Sequence, residues 1–263
     1  MASSLQKKLR MTFDGGVIDG QFALGEGHGA RTVDAVIAGA VADLDRFGVA
    51  RAGIPVREGD VLAHAALTSH PDRFFATAEV DPGRGMAELR RLERLARAYA
   101  LRAVTTSPAL LRPPLAIDDA RFYPLLTKCV ELDVAFCPSL GVPEALVPFW
   151  PQKVERIDAV ACFFPELRIV MRSGCEPWQA LAVLLMRTNP NLFYLTSALL
   201  PGRIPAEIVA FANEDGADRI LFASEPPAGE PRERMFKELS EIGFQGHVWP
   251  RYLRENAFRV FRL

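Results

Sequence analysis

The chain has 263 residues, 49% of them hydrophobic, with 31 Lys and Arg against 32 Asp and Glu and a formal net charge of -1. That length accommodates one large domain or two small ones, and so even a charge balance leaves no electrostatic footprint for nucleic acid or an anionic membrane. No apolar run reaches the ~18 residues of a membrane-spanning helix, and the opening residues 1–8 lack the apolar core of a signal peptide. Four cysteines, Cys129, Cys137, Cys162 and Cys175, with no CxxC pair, do not form a disulfide framework, so the expected compartment is the cytoplasm.

In chain order, a polar leader over residues 1–14 is followed by a short strand at 17–19 and a glycine-rich loop at 21–29. Residues 32–47 place Val33, Val36, Ile37, Ala40, Val41, Leu44 and Phe47 on one face, which predicts a helix stopped by Gly48. A strand at 49–56 and a weaker helix at 59–69 come next, then a strand at 74–80, a strongly periodic helix at 86–99 and a strand at 101–105. The basic residues between Arg84 and Arg102 alternate with Glu88, Glu93 and leucines, the pattern of a solvated helix face. A proline-rich loop leads to a helix near 118–131. The second half repeats the alternation. Strands are expected at 134–137, 167–172, 192–197 and 220–223, and helices at 152–163, 177–186, 205–213, 232–242 and 252–261.

Eight strand-then-helix units without a composition break predict a single-domain (β/α)8 barrel of the TIM type spanning 1–263, with a doubly wound open sheet as the alternative. In a barrel, chemistry sits at the carboxyl ends of the strands. Those ends carry Cys137, Arg172 and Glu225 here. There is no GxGxxG after the first strand and no Walker-type loop, so a nucleotide site has little support.

Several stretches, in register, resemble the amidohydrolase-related family that includes aminocarboxymuconate-semialdehyde decarboxylase: 18–25 (IDGQFALG), 69–82 (SHPDRFFATAEVDP), 164–174 (FPELRIVMRSG), 189–197 (NPNLFYLTS), 219–227 (RILFASEPP) and the terminal 254–261 (RENAFRVF). The resemblance implies an amidohydrolase-like barrel. It also implies a divalent metal, usually zinc, held by a His-x-His pair after the first strand, by histidines ending the fifth and sixth strands and by an aspartate ending the eighth. At those positions stand Gln21 and Ala23, Cys137 and, with a one-residue shift, Arg172, and Glu225, while Asp19 beside the pair is unchanged. An arginine is a permanent cation with no acceptor, so the expectation is a lost metal site and no cofactor. The alternative is a zinc site rebuilt from Cys137, Cys175, Glu225 and His28.

The candidate catalytic residues are Arg172, Glu225, Asp19, Cys137 and His28. Arg172 would anchor an anion or polarise a carbonyl, pairing with Glu225 across the former metal position, or with an acid of the first loop, Asp14, Asp19 or Glu26. Glu225 or Asp19 would move protons. Cys137 would be a thiolate lowered by the arginine, with His28 as its base, or else a small core filler. Gln21, Ser197 and Trp178 would contact substrate, and Phe193 and Tyr194 are further pocket-lining candidates. Three readings compete: a metal-independent hydrolase or lyase acting on a small carboxylate- or carbonyl-bearing metabolite, a silent relative that binds a ligand or pairs with an active related barrel, and a metal enzyme with unusual ligands. The expected partner is a small molecule, with a homodimer as the default assembly.

Overall fold

The computed structural model of the chain describes residues 16–25 and 32–263. Its strands are β1 (Val17–Asp19), β2 (Val49–Pro55), β3 (Phe74–Glu79), β4 (Leu101–Thr106), β5 (Ala135–Pro138), β6 (Ile169–Met171), β7 (Leu192–Leu195) and β8 (Ile220–Leu221). They lie side by side in sequence order in one sheet, and every ladder between neighbours is parallel. Between them run α1 (Val33–Phe47), α2 (Val61–Ser69), α3 (Met86–Ala98), α4 (Tyr123–Glu131), α5 (Ile157–Phe163), α6 (Gln179–Thr188) and α7 (Ala206–Asn213), with α8 (Arg232–Lys237) after β8. This is the (β/α)8 order that the alternating periodicity predicts. No helix among the described residues is long and apolar enough to cross a membrane.

The strands read as apolar on both faces because both faces are covered. Successive side chains alternate: Val170 and Leu195 join an inner cluster with Ile18, Phe75, Cys137 and Leu221, while Met171 and Tyr194 join the outer layer against the helices with Ile37, Leu44, Leu92 and Ile208. Local signals set the helix ends. Thr32 Oγ1 accepts from Ala35 N at 3.3 Å to start α1, and Gly48, at φ 70°, ends it in the left-handed region that glycine enters without penalty. The helix α3 departs from a purely solvated face. Glu88 and Arg91 are buried and paired at 2.6 Å, Glu88 Oε1 accepts from Asp81 N at 3.1 Å, and Arg91 donates to the Glu79 carbonyl, so two of the residues expected in water pin α3 to the end of β3.

The last strand and last helix also differ from expectation. β8 ends at Leu221 because the Phe222 N–H donates to the Tyr252 carbonyl at 3.1 Å, which belongs to the C-terminal segment and not to a strand. That segment is not one helix over 252–261 but α-helical Val248–Pro250, a π-helical turn Arg251–Glu255 and α-helical Asn256–Val260. Its end enters the barrel, where Phe261 meets Phe75 at 5.5 Å between ring centroids.

The sheet closes between β1 and β8 without a regular ladder. The Gly20 N–H donates to the Phe222 carbonyl at 3.0 Å. A β-carbon at Gly20 would sit 2.7 Å from Leu195 Cδ1 and 3.2 Å from the Phe222 carbonyl oxygen, so a larger residue would crowd this approach. Beside it Asp19, fully buried, accepts from Ser224 N at 2.9 Å and from Gln21 N at 3.1 Å, and its other oxygen meets the Ser224 hydroxyl. Asp19 alternates with Ile18 and thus faces the outer layer, where Thr196 Oγ1 and Tyr252 Oη meet at 2.8 Å.

Burial pushes the Asp19 carboxyl up to about 6, outweighing the hydrogen bonds from Ser224 and Gln21 and the Arg232 charge, which act in the opposite direction. The folded chain therefore holds this proton more tightly than the unfolded one. Stability falls as pH rises from about 4 to about 6 and levels off above that, by roughly 3 kcal/mol for this group. Asp19→Asn keeps an acceptor at the seam and removes the buried charge, so it melts at or above wild type at pH 7.5, with the gap shrinking toward pH 4. Asp19→Ala strands the Ser224 and Gln21 donors and costs about 2–4 kcal/mol. Thermal melts of the three proteins across this range decide it, and a gap between wild type and Asn that ignores pH contradicts the assignment.

Candidate functional site

The carboxyl ends of β4 to β7 each deliver a serine. Ser107 follows β4, Ser139 follows β5, Ser173 follows β6 and Ser197 follows β7. Ser107 Oγ and Ser139 Oγ are 3.3 Å apart, Ser173 Oγ donates to Ser139 Oγ at 3.2 Å, and Ser197 Oγ accepts from Ser173 N at 3.4 Å. Together they form an arc of hydroxyls around one side of the barrel mouth.

Arg172 stands inside this arc. It alternates with Met171 and so points to the interior, and its backbone bridges to Ser139 beyond the end of β6. Its Nη1 donates to Gln21 Oε1 at 2.9 Å, and its Nη2 donates to Ser107 Oγ at 3.4 Å. Its Nε is buried and has no hydrogen-bond partner. The expected ion pair with Glu225 is not formed. Among the described residues Arg172 touches only neutral groups, so the mouth holds a cation without a paired carboxylate. Of the first-loop acids, Asp14 and Glu26 lie outside the described residues, and Asp19 is held at the seam.

Two sets of buried contacts fix the arc from behind. Gln152, 2% exposed, accepts from Ala109 N at 3.1 Å and donates to the Gly141 carbonyl at 3.3 Å, tying the loop after Ser107 to the loop after Ser139. Tyr194, on the outer face of β7, donates from Oη to the Gly174 carbonyl at 2.9 Å. Three non-glycine residues here, Ser173 (φ 67°), Cys175 (φ 57°) and Ala198 (φ 57°), occupy the left-handed region. Such backbone strain concentrates at functional sites because the surrounding packing must hold it.

The remaining candidates separate. Glu225 is half-buried on the loop after β8, its carbonyl accepting from Ala198 N at 3.0 Å. Gln21 and Ser197 lie in the mouth, bonded to Arg172 and to the Ser173 backbone. Asp19 does not, since its carboxylate is committed to the seam. Trp178 packs on the outer core and lies 5.8 Å from Phe149 between centroids. Phe193 is under the guanidinium groups of Arg219 and Arg259, and Tyr194 faces outward. His28 lies outside the described residues.

Cys137 reverses its expectation. It is 3% exposed in the inner cluster, and burial pushes its thiol up to about 12, against the pull of the Arg172 and Arg168 charges. At neutral pH it is a protonated thiol, not a thiolate nucleophile. Cys129 and Cys175 are also buried and raised by burial. Among the described residues no group of three or more His, Cys, Asp or Glu converges as a metal-ligand set.

Sequence reasoning missed Ser107, Ser139 and Ser173. The signal was present, a serine one or two residues past each of four consecutive apolar strands, but each one alone reads as turn chemistry.

The profile of the family described as Amidohydrolase matches residues 10–263. The chain is similar in structure to the uncharacterized TIM-barrel protein Bb4693 of Bordetella bronchiseptica, with 21% identity over 87% of this chain and 83% of that one and a TM-score of 0.72. It is also similar to a 2,6-dihydroxybenzoate decarboxylase complexed with 2,6-dihydroxybenzoate, with 17% identity over 95% of this chain and 100% of that one and a TM-score of 0.66. A third similar structure is 4-oxalomesaconate hydratase from Rhodopseudomonas palustris, with 18% identity over 94% and 95% of the two chains and a TM-score of 0.62. No curated protein matches in sequence.

Ellman's reagent at pH 8 checks the thiol assignment. Native protein should react at Cys162, the exposed cysteine, while Cys129, Cys137 and Cys175 react only after unfolding. Rapid modification of Cys137 in the folded chain contradicts it.

Proposed function

Since the chain belongs to the amidohydrolase family, we propose that it is a metal-independent member, an enzyme of hydrolase or lyase type acting on a small metabolite that carries a carboxylate or a carbonyl. One observation carries this reading: among the described residues, Arg172 stands at the barrel mouth with only Gln21 and Ser107 as hydrogen-bond partners. A partly buried guanidinium without a counter-ion is costly, and an anionic substrate supplies the missing charge.

Among the described residues the donor chemistry of the mouth does not fit a catalytic dication. Zinc takes thiolate, imidazole and carboxylate ligands, three of them in a typical catalytic site. Gln21 and Ala23 stand where the resemblance implies a histidine pair, Cys137 is a protonated thiol, and Arg172 repels a cation. A guanidinium cannot generate a metal-bound hydroxide. It can orient a carboxylate and stabilise negative charge that develops on a carbonyl oxygen.

Asp19 being held at the seam, proton transfer falls to Glu225 on the loop after β8. The named activities of two structural neighbours, a decarboxylase and a hydratase, act on acids, in keeping with a carboxylate anchored at the mouth.

Two measurements test the reading. Exhaustive dialysis against a chelator should leave ligand binding and turnover unchanged, and one tightly held zinc per chain whose removal abolishes both would overturn metal independence. In a thermal-shift and turnover screen of small carboxylates, Arg172→Gln should remove the response at least 100-fold, with Glu225→Gln sparing binding but suppressing turnover. Binding without turnover of any carboxylate would leave a ligand-binding protein and not an enzyme.

A further inference from the structure

The hydroxyl arc has a property that does not depend on how its hydrogens are arranged. Ser107, Ser139 and Ser173 own three hydroxyl protons and are joined by two hydroxyl-to-hydroxyl contacts, Ser107 to Ser139 at 3.3 Å and Ser139 to Ser173 at 3.2 Å. Arg172 donates into the Ser107 end and takes no proton back. Whichever way the row is oriented, two protons serve the two contacts and one remains without an acceptor among the described residues. Ser197, fully buried, spends its oxygen as acceptor for Ser173 N and likewise has a proton left over. Arg172 Nε–H has no partner either. Among the described residues the mouth therefore has a surplus of donors beside a positive charge, and Gln21 Oε1 already accepts from Arg172.

We propose that Arg172 and the hydroxyls of Ser107, Ser139 and Ser173 form one subsite for a single carboxylate group of the substrate, with the arc as a determinant of specificity. The proposal rests on the reading of Arg172 as the anion anchor and adds what surrounds that anchor. A carboxylate offers two oxygens and about four acceptor sites, all of them without donors of its own. It can take the guanidinium N–H on one side and the surplus hydroxyl proton on the other. A neutral ester or amide of the same acid leaves the cation unbalanced. An amide also brings N–H donors to a site that already has too many. A phosphate dianion exceeds the single compensating charge, because the other three members are neutral. Ser139 is the middle of the row, so removing its oxygen separates Ser107 from Ser173 and breaks the arc as a unit.

Isothermal titration with acetate, pyruvate and benzoate, with their amides and methyl esters, and with inorganic phosphate tests the assignment on wild type, Arg172→Gln, Ser107→Ala, Ser139→Ala and the Ser107→Ala/Ser139→Ala double variant. At least one monocarboxylate should bind, and its amide and ester should bind 10-fold or more weakly. Each serine variant should weaken the acid by about 10-fold, the loss expected for a hydrogen bond to a charged group. The double variant should lose little more than either single one, since one row is broken only once. Unliganded melting temperatures report whether each variant folds, and Ser107→Ala, at a half-buried position, carries the test alone should Ser139→Ala fail to fold. If Arg172→Gln abolishes binding while the serine variants bind like wild type, the arc has no such role although the anchor stands. If phosphate binds more tightly than every monocarboxylate, the single-carboxylate assignment is wrong. If no carboxylate binds wild type, the anchor itself falls and the subsite with it.

Discussion

The barrel depends on how its first and last strands meet. Elsewhere around the sheet, neighbouring parallel strands share ladders. At the β1 and β8 seam one backbone hydrogen bond, the Gly20 N–H to the Phe222 carbonyl, is supplemented by a buried carboxylate that gathers the Ser224 backbone, the Ser224 hydroxyl and the Gln21 backbone. A charge in that position is expensive, which is why the proton is held so tightly, and its donors keep the cost bearable. The same contact orders the mouth. Gln21, whose backbone the carboxylate fixes, is the residue that accepts from Arg172, so closure of the fold and placement of the guanidinium are one arrangement.

This coupling explains the fate of Asp19. The residue beside the implied histidine pair would be expected to help with chemistry, yet its side chain turns away from the interior and toward Tyr252 and Thr196. Its carboxylate is committed to holding two strands together. Arg172 and Glu225 differ in the same instructive way. Placing both at strand tips suggested a salt bridge, but the Arg172 side chain reaches toward the ends of β1 and β4, through Gln21 and Ser107.

The architecture was legible in the sequence because it is written in periodicity. Alternation between short apolar runs and 3.6-residue stripes gives strand and helix, and their order gives the topology. The position of Arg172 at the end of its strand was legible for the same reason. What periodicity does not encode is which of two neighbouring residues faces inward once bulges and strand ends intervene, nor what desolvation does to an ionisable group. Hence Asp19 and Cys137 were read by type as reactive, whereas their burial makes one a structural staple and the other an inert thiol. Trp178 was placed by proximity in sequence to a strand end, while its ring belongs to the outer layer. Glu88 and Arg91 were read as solvated by charge, while the end of β3 offers them an unfilled carbonyl and an amide. The serines went unread because a hydroxyl after a strand is ordinary until three of them are seen to touch.

A hydroxyl group differs from every other polar side chain at the mouth in that rotation about a single C–O bond turns a donor into an acceptor. Arg172 and Gln21 have fixed polarity, set by covalent structure. The Ser107–Ser139 contact does not, since either hydroxyl can donate there, while Ser173 donates to Ser139. An occupant that differs in charge therefore meets the same guanidinium but a Ser107–Ser139 pair whose shared proton can come from either side, with no heavy atom displaced. The rigid scaffold of Gln152 and Tyr194 behind it thus carries a lining that is mechanically stiff and electrically adjustable.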